Sequence, residues 1–111
     1  MPKSTNKFQF IFLQQKNNEQ NIANSSYKDR IKKLRTLKVA IEKTYRSQIC
    51  NALFSDFKKP VAETELTEIY PVLNDIKFAV RNLKRWTKKH KVSTPLSLIG
   101  SSSWVHYEPK G

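Results

Sequence analysis

VAETELTEIYPVLNDIKFAVRNLKRWTKKHK, residues 61–91, carries the densest pattern in the chain. Leu66, Ile69, Leu73, Ile76, Ala79, Val80, Leu83 and Trp86 recur mostly at three- and four-residue steps, which places them on one stripe of an α-helix. Glu63, Glu65 and Glu68 crowd the start of the stretch, and Arg81, Lys84, Arg85, Lys88 and Lys89 crowd its end. Anions near the N-terminus and cations near the C-terminus complement the helix dipole. Pro71 falls inside the stripe and lacks an N–H, so it predicts a kink or a junction between two helical pieces.

The preceding stretch, NSSYKDRIKKLRTLKVAIEKTYRSQICNALFSDFKK (24–59), repeats the pattern. Ser26 and Asp29 have the spacing of a capping box. After them Ile31, Leu34, Leu37, Ile41, Tyr45, Ile49, Ala52, Leu53 and Phe57 form a second apolar stripe. The poorer helix formers Thr44 to Ser47 predict a break into two helices. Lys58, Lys59 and Pro60 close the segment, because the residue before a proline is pushed out of the α region.

From Val92 the periodicity changes. PLSLI (95–99), then Gly100 with three serines, then WVHYE (104–108) reads as strand, turn, strand. At the other end, FQFIFL (8–13) fits either a helix face, with Phe8, Phe12 and Gln15 together, or an alternating strand. The expected organisation is therefore an N-terminal segment over 1–26 that admits a short helix, amphipathic helices over 27–91, and a β-hairpin over 92–111. The fold class is mainly α with a C-terminal β-hairpin. Two strands alone are marginal in water, and each helix has an apolar face to cover, so the chain reads as the start of something larger.

At 111 residues the chain holds at most one small domain, and 38% apolar with 11% aromatic residues is enough for a core. The formal net charge of +12 favours polyanionic partners, or signals that an acidic remainder belongs with it. The single Cys50 rules out an internal disulfide framework and suits a reducing compartment, so the chain reads as cytoplasmic. FQFIFL is too short for a membrane span.

No complete catalytic constellation emerges. RNLKRWTKKHK (81–91) has six Lys/Arg and no acid, a composition that could grip phosphates with a base stacked on Trp86. The solvated-helix reading is preferred, because Trp86 is in register with Leu83 and Val80. Cys50, His90 and His106 are too scattered for a metal site. Cys50 sits in a helical stripe without a general base. GSSSW lacks the second glycine of a nucleophile elbow. Gly100 and Gly111, the only glycines, build no phosphate loop. Glu63, Glu65 and Glu68 are explained as helix-start acids.

Taken jointly, RIKKLRTLKVAI, ALFSDFKKP, ETELTEIYPVLNDIKFAVRNLKRW and KVSTPL…WVHYEPKG resemble the opening segment of an NAD(P)-dependent aldehyde dehydrogenase, closest to the branch with the class 3 and fatty-aldehyde enzymes. The resemblance runs from about Tyr27 to Gly111 and more weakly through the N-terminal patch. It implies the helical part of an α/β fold, stopping before the catalytic region. In that family the counterpart of Glu108, Pro109 and Gly111 leads into the first buried strand of the cofactor domain. A Trp-Asn-aromatic-Pro stretch follows, and its asparagine helps hold the oxyanion.

The resemblance further implies that an aldehyde is oxidised by attack of a cysteine thiolate, hydride transfer to NAD or NADP, and hydrolysis of the thioester. No counterpart of the nucleophile, the general-base glutamate or the glycine-rich cofactor region lies in this chain, so no catalytic, cofactor-binding or metal-binding residue is assigned. The chain alone is expected to bind no cofactor and to be inactive. The family hairpin contributes to oligomerisation, which carries that role onto Trp104, Val105, His106, Tyr107 and Glu108. The implied partners are the rest of the dehydrogenase fold or a homo-oligomer through the hairpin, with no specific nucleic acid and no membrane span. The rival expectation is a small basic helical module binding nucleic acid or an acidic protein.

Overall fold

The computed structural model describes residues 6–110, which fall into two compact units. One is the helical stretch Tyr27–Trp86; the other combines the described parts of 1–26 and 87–111.

In the helical unit, α2 spans Tyr27–Val39 and starts directly after Ser26, with Asp29 in its first turn and Lys38 in its last. It widens into a π-helical turn, Ala40–Thr44, closed by the Tyr45 N–H donating to the Ala40 carbonyl at 2.8 Å. Tyr45, at φ −110° and ψ 5°, is where the expected break falls, and α3 runs on from there over Arg46–Phe57. Lys58 ends α3 in the left-handed conformation (φ 56°), its N–H bonded to the Phe54 carbonyl at 2.8 Å. Pro60 is extended and opens the next helix.

That helix is one continuous path in three pieces: α4 (Val61–Thr64), a π-helical turn (Glu65–Ile69) and α5 (Tyr70–Trp86). Pro71 is the second residue of α5, so the wide turn lies immediately before the residue that cannot donate to the ladder. The junction expected at Pro71 is thus a π-turn. Its consequence is a change of register. The buried positions run Thr64, Ile69, Leu73, Ile76, a step of five across the π-turn followed by steps of four and three. Leu66, on the stripe if the helix were regular, is rotated out to 70% exposure.

α2 packs on α5, and α3 on α4. Cys50, Ile69 and Leu73 form the buried cluster, with Ile41 and Ile49 packed against it. The acids that crowd the helix start turn toward cations on or just after α3. Glu65 Oε1 accepts from Arg46 Nε at 2.9 Å and from Arg46 Nη2, and Lys59 Nζ meets Glu68 Oε1 at 2.7 Å. The hydrogen bond and charge of Glu65 raise the Arg46 pKa above its ordinary value.

Thr64 is fully buried, and its Oγ1 has no hydrogen-bond partner among the described residues. A stranded hydroxyl costs roughly 1–3 kcal/mol, and an apolar group of the same shape avoids that cost. Thr64→Val is therefore expected to stabilise the unit by about 1 kcal/mol. Thermal melts monitored by circular dichroism check this; a lowered midpoint would show that the hydroxyl is partnered.

In the other unit, α1 spans Lys7–Ala23, which resolves the open reading of FQFIFL as helix. Two three-residue strands, β1 (His90–Val92) and β2 (Ser103–Val105), pair antiparallel with His90 opposite Val105 and Val92 opposite Ser103. The strand expected over PLSLI is not there. Leu96–Leu98 form a 3₁₀ turn, in which the Leu98 N–H reaches the Pro95 carbonyl at 2.9 Å, and the first strand lies upstream. Proline at 95 cannot supply a ladder donor, so HKV pairs instead. The expected second strand is also shortened. Beyond Val105 the ladder has no partner, because the chain before His90 is still turning out of α5. His106, Tyr107 and Glu108 therefore lie past the sheet.

Candidate interaction surface

The hairpin residues singled out in the sequence are solvent-facing. Trp104 is 58% and Tyr107 66% exposed, and Val105 is also exposed. Past the sheet, His106 Nδ1 lies 3.5 Å from Glu108 Oε1. Thr94 and Ser103 hydroxyls meet at 3.1 Å and brace the loop where it re-enters the ladder.

The loop tip adds apolar residues that sequence reasoning placed in a strand rather than on a surface. Leu96 and Ile99 are each 86% exposed, and Leu98 is exposed as well. Their bracketing by Pro95 and by Gly100, the latter at φ 94°, was the available signal for a turn. Single exposed apolar residues are ordinary, but here several large ones share one short hairpin.

The remaining candidates resolve into structural roles. Cys50 is a free thiol buried in the apolar cluster of the helical unit, where it packs with Ile69 and Leu73. Trp86 is half-turned to solvent and its ring lies 5.6 Å from that of Phe78, tilted by 57°. In the same run Arg85 Nη2 donates to Asn82 Oδ1 at 2.9 Å, so this part of the basic stretch is braced along its own helix. Among the described residues no cluster of three or more His, Cys, Asp or Glu could hold a metal, and no helix is long and apolar enough to cross a membrane.

Known relatives supply what this geometry alone does not. The chain is 43% identical over 82 residues to the 4,4'-diaponeurosporen-aldehyde dehydrogenase of Staphylococcus aureus, covering 74% of this chain and 18% of that protein. It is 36% identical over 86 residues to an aldehyde dehydrogenase of Craterostigma plantagineum, covering 78% of this chain and 18% of that one. Over 60 residues it is 40% identical to aldehyde dehydrogenase family 3 member B1 of Bos taurus, covering 54% of this chain and 13% of the relative. No family model and no solved structure matches the chain.

The chain carries a segment of the aldehyde dehydrogenase family. Within it, family 3 is the branch to which named relatives belong. The chain spans less than a fifth of the length of these curated relatives, 18% for the first two and 13% for the third.

The NAD(P) that such relatives imply does not fit the described residues. The one described glycine, Gly100, sits in a loop turn rather than at the start of a helix following a strand, so no backbone cradle for a pyrophosphate forms.

Proposed function

We propose that this chain is the N-terminal helical scaffold of an aldehyde dehydrogenase, a supporting part of the α/β fold rather than its reacting part. The family reaction is oxidation of an aldehyde to a carboxylic acid with NAD or NADP as hydride acceptor. None of the described residues provides a group for it. What carries this reading is the 43% identity over 82 residues to the 4,4'-diaponeurosporen-aldehyde dehydrogenase of Staphylococcus aureus. The exposed apolar side chains agree with it. Leu66, Phe57, Leu96 and Ile99 are each at least 70% exposed, as expected of surfaces meant for the rest of such a fold. Trp104, Val105, His106, Tyr107 and Glu108 then serve as part of the arm that docks on that remainder or on a second subunit.

The test is purified chain 1–111 assayed for NADH or NADPH formation with short- and long-chain aldehydes. The expected result is no turnover above the buffer rate, with Cys50→Ala indistinguishable from the parent chain. Turnover that copurifies with the chain and is lost in Cys50→Ala would overturn the scaffold reading.

A second reading, a basic module for a polyanion, has one specific observation behind it. Lys28, Lys32 and Arg35 follow one face of α2, beside Ile31, Val39 and Thr36, with no ion pair among the described residues. Phosphate-driven binding falls linearly with salt on logarithmic axes. Retention of nucleic-acid binding at physiological salt, lost on neutralising those three cations, would favour it over the scaffold.

A further inference from the structure

The scaffold reading leaves α1 unexplained. Helix α1 divides along its length rather than across it: Phe8, Phe10, Ile11, Phe12 and Leu13 occupy its first half, and Gln14 to Asn21 its second. All five apolar side chains are exposed, Phe8 by 75% and Phe12 by 58%. Because they follow one another in sequence they surround the helix, so a single groove on a protein partner would cover only part of them. The band from Phe8 to Leu13 is about 9 Å long at the α-helical rise, and interfacial helices lie in the plane of the surface with their apolar side chains sunk about 5–10 Å.

Two further features favour a lipid surface. The first turn satisfies most of its own donors: the Phe8 N–H bonds to Asn6 Oδ1 at 3.1 Å, and the Gln9 and Phe10 N–H groups reach the Asn6 carbonyl at 2.8 and 3.2 Å. Entry of this end into a low-dielectric phase therefore strands few of the N–H groups that normally keep a helix start in water. The charge is also one-signed. Lys3, Lys7 and Lys16 precede the first acid of the chain, Glu19. Cations bracketing aromatic side chains complement anionic headgroups.

We propose that α1 is a peripheral membrane contact, lying along an anionic lipid surface with its Phe8–Leu13 band sunk into it while Lys7 and Lys16, on either side of the band, meet the headgroups. The contact is independent of the dehydrogenase reading, since it uses none of the hairpin or helical-unit residues.

The experiment is flotation of the full chain with vesicles of phosphatidylcholine containing about a third phosphatidylglycerol, against pure phosphatidylcholine. The expected result is flotation with the anionic vesicles, weakened about tenfold or more by Phe8→Ser with Phe12→Ser. The control pair, Leu96→Ser with Ile99→Ser, also removes two exposed apolar side chains and is expected to float as the parent does. Circular dichroism confirms that both pairs remain helical. Equal loss in the two pairs, or no preference for the anionic vesicles, would overturn the proposal as general stickiness. Concentration-dependent self-association without flotation would assign the band to a second copy of the chain instead.

Discussion

Replacing Ile69 with aspartate unfolds the helical unit. Ile69 is 3% exposed, touches Cys50 and Leu73, and sits at the end of the π-turn where the helix changes register. The cluster holds no cation to pair with a new carboxylate: Arg46 and Lys59 are already engaged by Glu65 and Glu68. An unpaired buried charge costs at least about 4 kcal/mol. A unit of this size has roughly 3–9 kcal/mol in all by per-residue scaling. The expected observation is loss of the cooperative melt at neutral pH. The introduced carboxyl has a folded pKa raised by burial, so its penalty is smallest below the ordinary carboxylate range and grows as pH rises through it. Partial recovery of helix in acid is therefore part of the prediction. Leu66→Asp, three residues earlier but 70% exposed, is expected to change stability by less than about 0.5 kcal/mol. If the two substitutions were equally damaging, the register change at the π-turn would be wrong.

Leu73→Ala tests the same cluster without introducing charge. Leu73 is 6% exposed and lies one turn beyond Ile69 on the buried face. Leucine-to-alanine changes in cores cost about 2–5 kcal/mol, depending on how far the cavity collapses. Here the cluster is small and its neighbours Ile41 and Ile49 are only partly buried, so they can relax inward. The expected loss is about 2–3 kcal/mol, read as a lower denaturant midpoint with an unchanged slope. Trp86→Ala, at the half-exposed end of the same stripe, is expected to cost clearly less.

The stripe Ile69, Leu73, Ile76 was legible because its spacing is that of a regular helix, and the break at Tyr45 because Thr44 to Ser47 weaken the helix locally. The π-turns were not legible. A pattern read at 3.6 residues per turn puts Leu66 inside and says nothing of Thr64, whereas one extra residue in the turn reverses both. Pro71 signalled a disturbance there, but its sign, a widened turn rather than a bend, depends on how the neighbouring helices pack. The hairpin was legible as a hairpin and misplaced in detail, since strands of three residues carry too little alternation to outvote an apolar run such as PLSLI. Trp104 and Tyr107 were singled out through the family resemblance rather than from the alternation, which set them on opposite faces; both are exposed. The apolar tip at Leu96 and Ile99 was hidden by the same misplacement.

The central claim is that the chain is the helical opening of an aldehyde dehydrogenase, and the most direct measurement is the DNA sequence immediately after codon 111 in the source genome. The account predicts that the next codons, in some frame, encode an apolar strand followed by Trp-Asn-aromatic-Pro. Unrelated sequence in every frame would contradict it and leave the basic face of α2 as the better guide to function.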